Sequence, residues 1–263
     1  MKKFAVIGDP VEQSLSPILH KEIYRQLGAN ASYEKVHVME ETLSLFMDSN
    51  LFDGFNVTIP HKESIIPYLD SLDEAAKLIG AVNCIVGNIG YNTDWVGFLD
   101  SMVLNQVDLD EKYCLIIGAG GAARSVAYAL IQANVKSIVF QNRTKSREAE
   151  LTTWVNKLYP KNRPGRNPDI IINCTPVGMW PKIQAIPFNI HQINQIGVLV
   201  DTIYNPIDTE WLQKGKKAGA KIVKGIDMFI AQGLASANIW FGEEVSKKID
   251  LEIIRKVLES KLC

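Results

Sequence analysis

Two successive α/β domains are predicted by three features of the chain. Short apolar runs alternate with amphipathic stretches along most of its length, the pattern of sheets covered by helices. A glycine-rich turn, Gly118 to Ala122, joins one such run directly to a helical stretch, and the polar segment 105–112 separates the runs before that turn from those after it. With 263 residues and 47% apolar content there is material for one or two cores, and ordinary domain sizes favour two.

In the first domain, strands at 4–7, 36–38, 54–59 and 82–87 alternate with helices at about 17–27, 41–50, 62–79 and 94–105. The first helix is the best marked. Ser16 suits an N-cap, Pro17 the first helical position, Leu19, Ile23 and Leu27 share a face, and Gly28 can end it. The second domain reads as strand 113–117, helix 122–134, strand 137–141, helix 146–158, and strands 169–173 and 197–202. Between 159 and 168, Pro, Asn, Arg and Gly dominate, which predicts a surface loop. The last stretch, 227–262, reads as helical, with Met228, Ile230, Ala231, Leu234 and Ala235 available for burial. The predicted division is 1–104, 105–224, and C-terminal helices 225–263 that return to the first domain.

Composition excludes several classes. A formal charge of −1, with basic residues scattered apart from a short patch near 161–166, gives no nucleic-acid footprint. Residues 1–10 form a strand and turn too short for a signal sequence, and no long uncharged span follows, so a cytoplasmic protein without a membrane partner is expected. Cys84, Cys114, Cys174 and Cys263 lack metal-ligand spacing, and neither a metal site nor a disulfide framework is indicated.

The glycine-rich turn has a specific use. In Gly118-Ala119-Gly120-Gly121-Ala122, glycines let backbone amides approach a pyrophosphate, and the helix that follows offers free N–H donors and a favourable dipole. A second strand ends about twenty residues on, at Asn142-Arg143-Thr144, where such folds meet the adenosine ribose. An Asp or Glu there would accept a free 2′-OH. Arg143, helped by Lys145 or Arg147, instead suits a 2′-phosphate, so a Rossmann-type domain binding NADP is predicted.

Chemistry falls to the first domain, with the substrate expected in the cleft against the dinucleotide. Asn56 to Lys62 ends a strand at a proline, placing Thr58 and Lys62 where loops meet ligands. Alone, Lys62 reads as solvated and Asp94 as a helix N-terminal acid. Paired, they form an acid/base dyad: ketone reduction needs a proton donor at oxygen while hydride arrives at carbon.

Taken together, these segments resemble the shikimate dehydrogenase family. The likeness is carried by Ser14-Leu15-Ser16-Pro17, Asn56 to Lys62, Gly80-Ala81-Val82-Asn83, Tyr91-Asn92-Thr93-Asp94, Gly118 to Ala122, Asn142-Arg143-Thr144, Asn173 to Met179, Asp201 to Pro206, and Gly225, Met228 and Gln232, in order along nearly the whole chain. The resemblance implies interconversion of 3-dehydroshikimate and shikimate with NADPH, a step of aromatic amino-acid biosynthesis. It implies Lys62 as catalytic acid/base, Asp94 as its partner, and Ser14, Ser16, Thr58, Asn83, Tyr204 and Gln232 around the substrate. Thr202, Gly225 and Met228 would lie near the cofactor; Glu74, which the family analogy also places there, reads locally as a solvated helix acid. A small triol carboxylate is bound mainly by hydrogen bonds, which this set can supply.

Two positions depart from the family pattern. Cys84 stands where Thr is usual, removing a hydroxyl from the expected substrate rim, and Phe229 stands where Leu is common. The competing readings are a quinate/shikimate dehydrogenase of broader specificity and a non-catalytic NADP- or metabolite-binding paralogue. Arg143 and the paired Ser14 and Ser16 speak against the first, and retention of both Lys62 and Asp94 against the second. A monomer or homodimer is expected.

Overall fold

The computed structural model describes residues 1–163, 165, 167–188, 197–242 and 244–262. Pro164 and Arg166 of the predicted loop and basic patch, and Glu243 and Cys263 of the predicted C-terminal segment, lie outside them. Contacts divide the chain into two units, Met1–Val96 with Gln232–Lys261, and Gly97–Ala231. The strands are β1 Lys2–Gly8, β2 Ala31–His37, β3 Gly54–Val57, β4 Ser71–Leu72, β5 Cys84–Val86, β6 Ile89–Tyr91, β7 Tyr113–Ile117, β8 Ser137–Gln141, β9 Ile170–Asn173, β10 Val198–Asp201 and β11 Lys221–Val223. The helices are α1 Ser16–Leu27, α2 Leu43–Ser49, α3 His61–Ser64, α4 Glu74–Ile79, α5 Asp94–Leu104, α6 Gly121–Gln132, α7 Lys145–Leu158, α8 Glu210–Lys217, α9 Gly225–Phe241 and α10 Leu251–Glu259.

The first unit holds a mixed sheet of order β2-β1-β3-β5-β6-β4. β1 runs parallel to β2 and β3, while β5 is antiparallel to β3 and β6. Residues 4–8 of β1 are not alternating but continuously apolar up to Gly8, because the strand is covered on both faces. Ala5 and Ile7 join Val57, Ile65, Val82 and Ile85 in one core. Phe4, pointing the other way, stacks on Trp240 of α9 with ring centroids 4.5 Å apart.

Several predicted elements are corrected here. The single helix expected over 62–79 is broken: Pro67 has no N–H to continue it, so α3 stops at Ser64, a 3-10 turn spans Ile66–Tyr68, β4 follows, and Asp73 caps α4 by accepting from the Ala76 N–H at 2.8 Å. β2 starts at Ala31, not at 36, because an edge strand needs no apolar alternation. β3 ends at Val57. The run 82–87 narrows to β5 and pairs with β6 in a hairpin turning on Gly87 and Asn88, both at positive φ (55° and 59°). A 3-10 turn at Glu40–Thr42 precedes α2. Ser16 is the first residue of α1 and not its N-cap; Ser14 Oγ accepts its N–H at 3.3 Å, and Gly28 ends the helix at φ 63° as expected. The stretch 227–262 is interrupted at Gly242 (φ 68°) and resumes as a 3-10 turn, Val245–Lys248, and α10, capped by Asp250.

The second unit is an all-parallel sheet of order β11-β10-β9-β7-β8. The chain leaves β7 for β8 on one side and then crosses to β9 on the other. Loops at the carboxyl ends of β7 and β9 therefore part to leave a crevice, the usual ligand position in such sheets. α8 and β11 are additions to the elements expected from the sequence. α8 sits on the sheet through Trp211 and Leu212, packed with Leu115, Ile117, Ile171 and Leu199. Among the described residues no helix is long and apolar enough to cross a membrane, and no group of His, Cys, Asp or Glu is placed to hold a metal ion.

Candidate functional site

The first unit has its own switch point. β1 lies between β2 and β3, so the ends of β1 and β3 open together, and Gly8 and Thr58 meet there closely enough that a Cβ on Gly8 would lie 2.4 Å from Thr58 Cγ2. After β1 the chain turns through residues 9–15 into α1, where Ser14 Oγ donates to Ser16 Oγ at 3.1 Å. After β3 it runs through Thr58 into α3, which carries Lys62. The Lys62 carbonyl accepts the Val82 N–H at 2.8 Å, tying α3 to the turn that presents Asn83. β5 and β6 bring Asn83 and Asp94 to this same edge, because Cys84 pairs with both Asn56 and Tyr91.

Lys62 Nζ donates to Asp94 Oδ2 at 2.5 Å, and the two side chains are 18% and 8% exposed, enough for a ligand to reach the ammonium but not the carboxylate. The other carboxylate oxygen, Oδ1, accepts from Asn83 Nδ2 at 2.8 Å. The Asn83 amide also lies 3.5 Å from Gln232 Oε1 of α9. Asn92 fixes the start of α5, accepting the Asp94 N–H at 3.1 Å and donating to the Ala81 carbonyl at 2.9 Å. Lys62, Asp94, Asn83 and Gln232 are thus brought together, with Thr58, Ser14 and Ser16 on the loops of the same sheet end. Glu74 is exposed at the start of α4.

The expectation for Cys84 is corrected. It is fully buried beside Ser236 and Trp240, and burial pushes its thiol up to about 12, so it is neither a rim residue nor a reactive one. Strand alternation explains this: Ile85 faces one core, which turns Cys84 to the other face and leaves Asn83 at the edge. Sequence reasoning gave no role to Asn56, Asn92, Thr93 or Ser236, all polar and all buried except for a shallow edge. A buried polar side chain needs a partner, and Asn56, Thr93 and Ser236 find theirs partly across 143 to 180 residues of sequence.

In the second unit, Gly118 ends β7 at φ 116°, and a Cβ there would lie 2.9 Å from the Cys174 carbonyl of the β9 loop. Gly120 differs: an added Cβ would meet nothing within 4 Å. α6 then opens at Gly121 with no side-chain cap on its free N–H groups. A bare helix end behind an open glycine fits a dinucleotide pyrophosphate. Gly118→Ala is therefore expected to lower the melting temperature, whereas Gly120→Ala is expected to melt like the parent and to weaken NADP binding; thermal melts and titration of bound NADP check both. Equal NADP affinity in Gly120→Ala would contradict the placement.

Past β8, Asn142 Nδ2 donates to the Thr144 carbonyl at 3.0 Å. Lys145 is engaged by Glu148 at 2.8 Å, while Arg143 and Arg147 are exposed and have no ion pair among the described residues. Thr202 Oγ1 donates to the Asn173 carbonyl at 2.9 Å. Gly225 lets the start of α9 approach that loop: a Cβ there would lie 2.3 Å from the Ile203 carbonyl. Asp201 organises the region, accepting from Asn173 Nδ2 (3.0 Å), the Ile203 N–H (3.0 Å) and Thr209 Oγ1 (2.8 Å). Burial pushes its carboxyl up to about 6 against those donors. Tyr204 stacks on Phe229, centroids 4.3 Å apart and planes 25° from parallel, so the second departure from the family pattern supports a predicted substrate residue; Met228 is buried beside it in sequence.

A bare helix end behind an open glycine turn in one sheet, and a lysine paired with a carboxylate at the carboxyl edge of the other, fit the class of nicotinamide-dependent oxidoreductases. Comparison with known proteins gives the particular kind. Residues 6–85 match the family model of the shikimate dehydrogenase substrate binding domain, and residues 101–175 that of shikimate / quinate 5-dehydrogenase. The chain is 37% identical to shikimate dehydrogenase (NADP(+)) of Bacillus cereus, covering 97% of this chain and 98% of that protein. The corresponding enzyme of Methanococcus maripaludis is 39% identical, covering 99% and 98%. A solved structure of shikimate 5-dehydrogenase from Thermus thermophilus, in complex with NADP(H) and shikimate, superposes with a TM-score of 0.87 at 32% identity, covering 98% and 100%. The chain belongs to the shikimate dehydrogenase family.

Proposed function

We propose that this chain catalyses the reversible reduction of 3-dehydroshikimate to shikimate with NADPH, a step of aromatic amino-acid and chorismate biosynthesis, in the cytoplasm, as a monomer or homodimer. The carrying observation is the 2.5 Å pair of Lys62 and Asp94 at the open edge of the first sheet. Bound NADPH supplies the hydride. Lys62 protonates the carbonyl oxygen in reduction and takes the proton back from the hydroxyl in oxidation. Asp94 holds the ammonium in place, and Asn83 holds Asp94 by donating to its Oδ1. Ser14, Ser16, Thr58, Asn83, Tyr204 and Gln232 are read as the set around the substrate's carboxylate and ring hydroxyls. The substrate domain is read as 1–104 with the C-terminal helices, and the NADP domain as 105–224.

Initial rates with NADP or NAD and with shikimate or quinate, in all four combinations, test this. Strong turnover confined to NADP with shikimate is expected. Comparable rates with quinate or NAD support the broader quinate/shikimate reading, and no turnover by protein that still binds NADP contradicts an enzymatic role.

A further inference from the structure

Behind Asp94 lies a closed chain of hydrogen bonds whose donors and acceptors can all be assigned. Ser236 Oγ donates to the Gln232 carbonyl at 3.0 Å, which uses its only hydrogen. With that hydrogen spent, its oxygen accepts from Asn56 Nδ2 at 2.9 Å and from Thr93 Oγ1 at 3.1 Å, beside the buried Cys84 thiol. Thr93, having spent its hydrogen on Ser236, presents a lone pair to Asn83 Nδ2 at 3.0 Å. The Thr93 N–H donates to Asn83 Oδ1 at 2.6 Å and fixes which way the amide faces. One Asn83 hydrogen goes to Thr93 and the other to Asp94 Oδ1. Asn56 closes the chain, donating also to the Asn83 carbonyl at 2.9 Å and accepting from Tyr33 at 2.8 Å. Ser236 is 0% exposed and Thr93 and Asn83 are 2% exposed, so no solvent competes for these groups.

We infer that Ser236 is a positioning residue for proton transfer: it sets the direction of the Thr93 hydroxyl, which apportions the Asn83 amide hydrogens and so holds Asp94 in pairing geometry with Lys62. The inference rests on the reading of Lys62 and Asp94 given above. Without Ser236 Oγ, the Thr93 hydroxyl is free to turn to Asn83 Oδ1, 3.3 Å away, and its lone pair leaves the amide hydrogen that it had accepted. Asn83 is then less firmly fixed, and the Asp94 carboxylate with it. Fully buried networks of this kind are coupled, so groups acting in series lose activity once, not twice.

The test is the turnover of Ser236→Ala, Thr93→Val and the double variant in shikimate oxidation with NADP, alongside the parent, with melting temperatures. Each single variant is expected to lower kcat on the order of tenfold, the scale of one buried hydrogen bond, with a smaller change in KM. The double variant is expected to fall no further than Thr93→Val alone. A Ser236→Ala enzyme with kcat within about twofold of the parent, or losses that multiply in the double variant, overturns the inference. Should Ser236→Ala fail to fold by circular dichroism, Thr93→Val against Thr93→Ser decides: loss in the first with retention in the second supports the chain of bonds, and equal rates overturn it. A parent without turnover refutes the underlying reading and the inference together, whereas an active parent with an unaffected Ser236→Ala refutes the inference alone.

Discussion

Replacing Lys62 by Met is expected to lower kcat for shikimate oxidation on the order of a hundred- to ten-thousandfold, the usual contribution of a positioned acid/base group. Methionine nearly fills the same space but carries no proton. NADP affinity is expected to be unchanged, because the pyrophosphate turn at Gly118 to Ala122 lies in the other unit. Removing the ammonium also leaves the Asp94 carboxylate, 8% exposed, without its cation, so some loss of stability accompanies the loss of rate. A melt run beside the kinetics separates the two. Retained turnover in a folded Lys62→Met protein contradicts the assignment.

Arg143→Ala carries the second large effect. A hydrogen bond between charged groups contributes about 1.5–3 kcal/mol, which corresponds to roughly a ten- to hundredfold rise in KM for NADP. KM for NAD, which has no 2′-phosphate, is expected to stay within about twofold, because no charge-assisted hydrogen bond is lost. Lys145 is a weaker candidate, since it is held by Glu148, whose other role is to accept the Asn142 N–H at 2.7 Å. Arg147 is exposed and unpaired among the described residues, and Arg143→Ala/Arg147→Ala is expected to lose more discrimination than either change alone. A preference for NADP that survives both changes contradicts this assignment of the ribose site.

Much of the fold is legible in the chain because local chemistry decides it. Gly118, Gly28 and the β7 to α7 series follow from turn geometry and apolar runs, and each lies where it is expected. The apolar spacing over 62–79 predicts one helix, but Pro67 cannot donate within it and outweighs that spacing. β2 reads as too short because Ala31 to Lys35 lie on an exposed edge, where polar side chains are tolerated and alternation fades. The hairpin at Gly87-Asn88 does carry a readable turn sequence. The dyad can be inferred only from motif spacing, and its 2.5 Å geometry depends on β5 and β6 returning antiparallel beside β3. Roles for Asn56, Thr93 and Ser236 are out of reach of the sequence, since Asn56 and Ser236 are 180 residues apart and meet only in the folded unit. Cys84 shows the same point in reverse: its place in a motif suggests the substrate rim, and strand alternation buries it.

Proton donation by Lys62 is read out in a single turnover of 3-dehydroshikimate by excess enzyme loaded with NADPH, followed by nicotinamide absorbance, for the parent and for Lys62→Met. A fast loss of one equivalent of NADPH is predicted in the parent, and a slow one in a variant that binds both ligands equally well. Equal rates in the two proteins, or no loss in the parent, contradict the assignment of Lys62 as the proton donor.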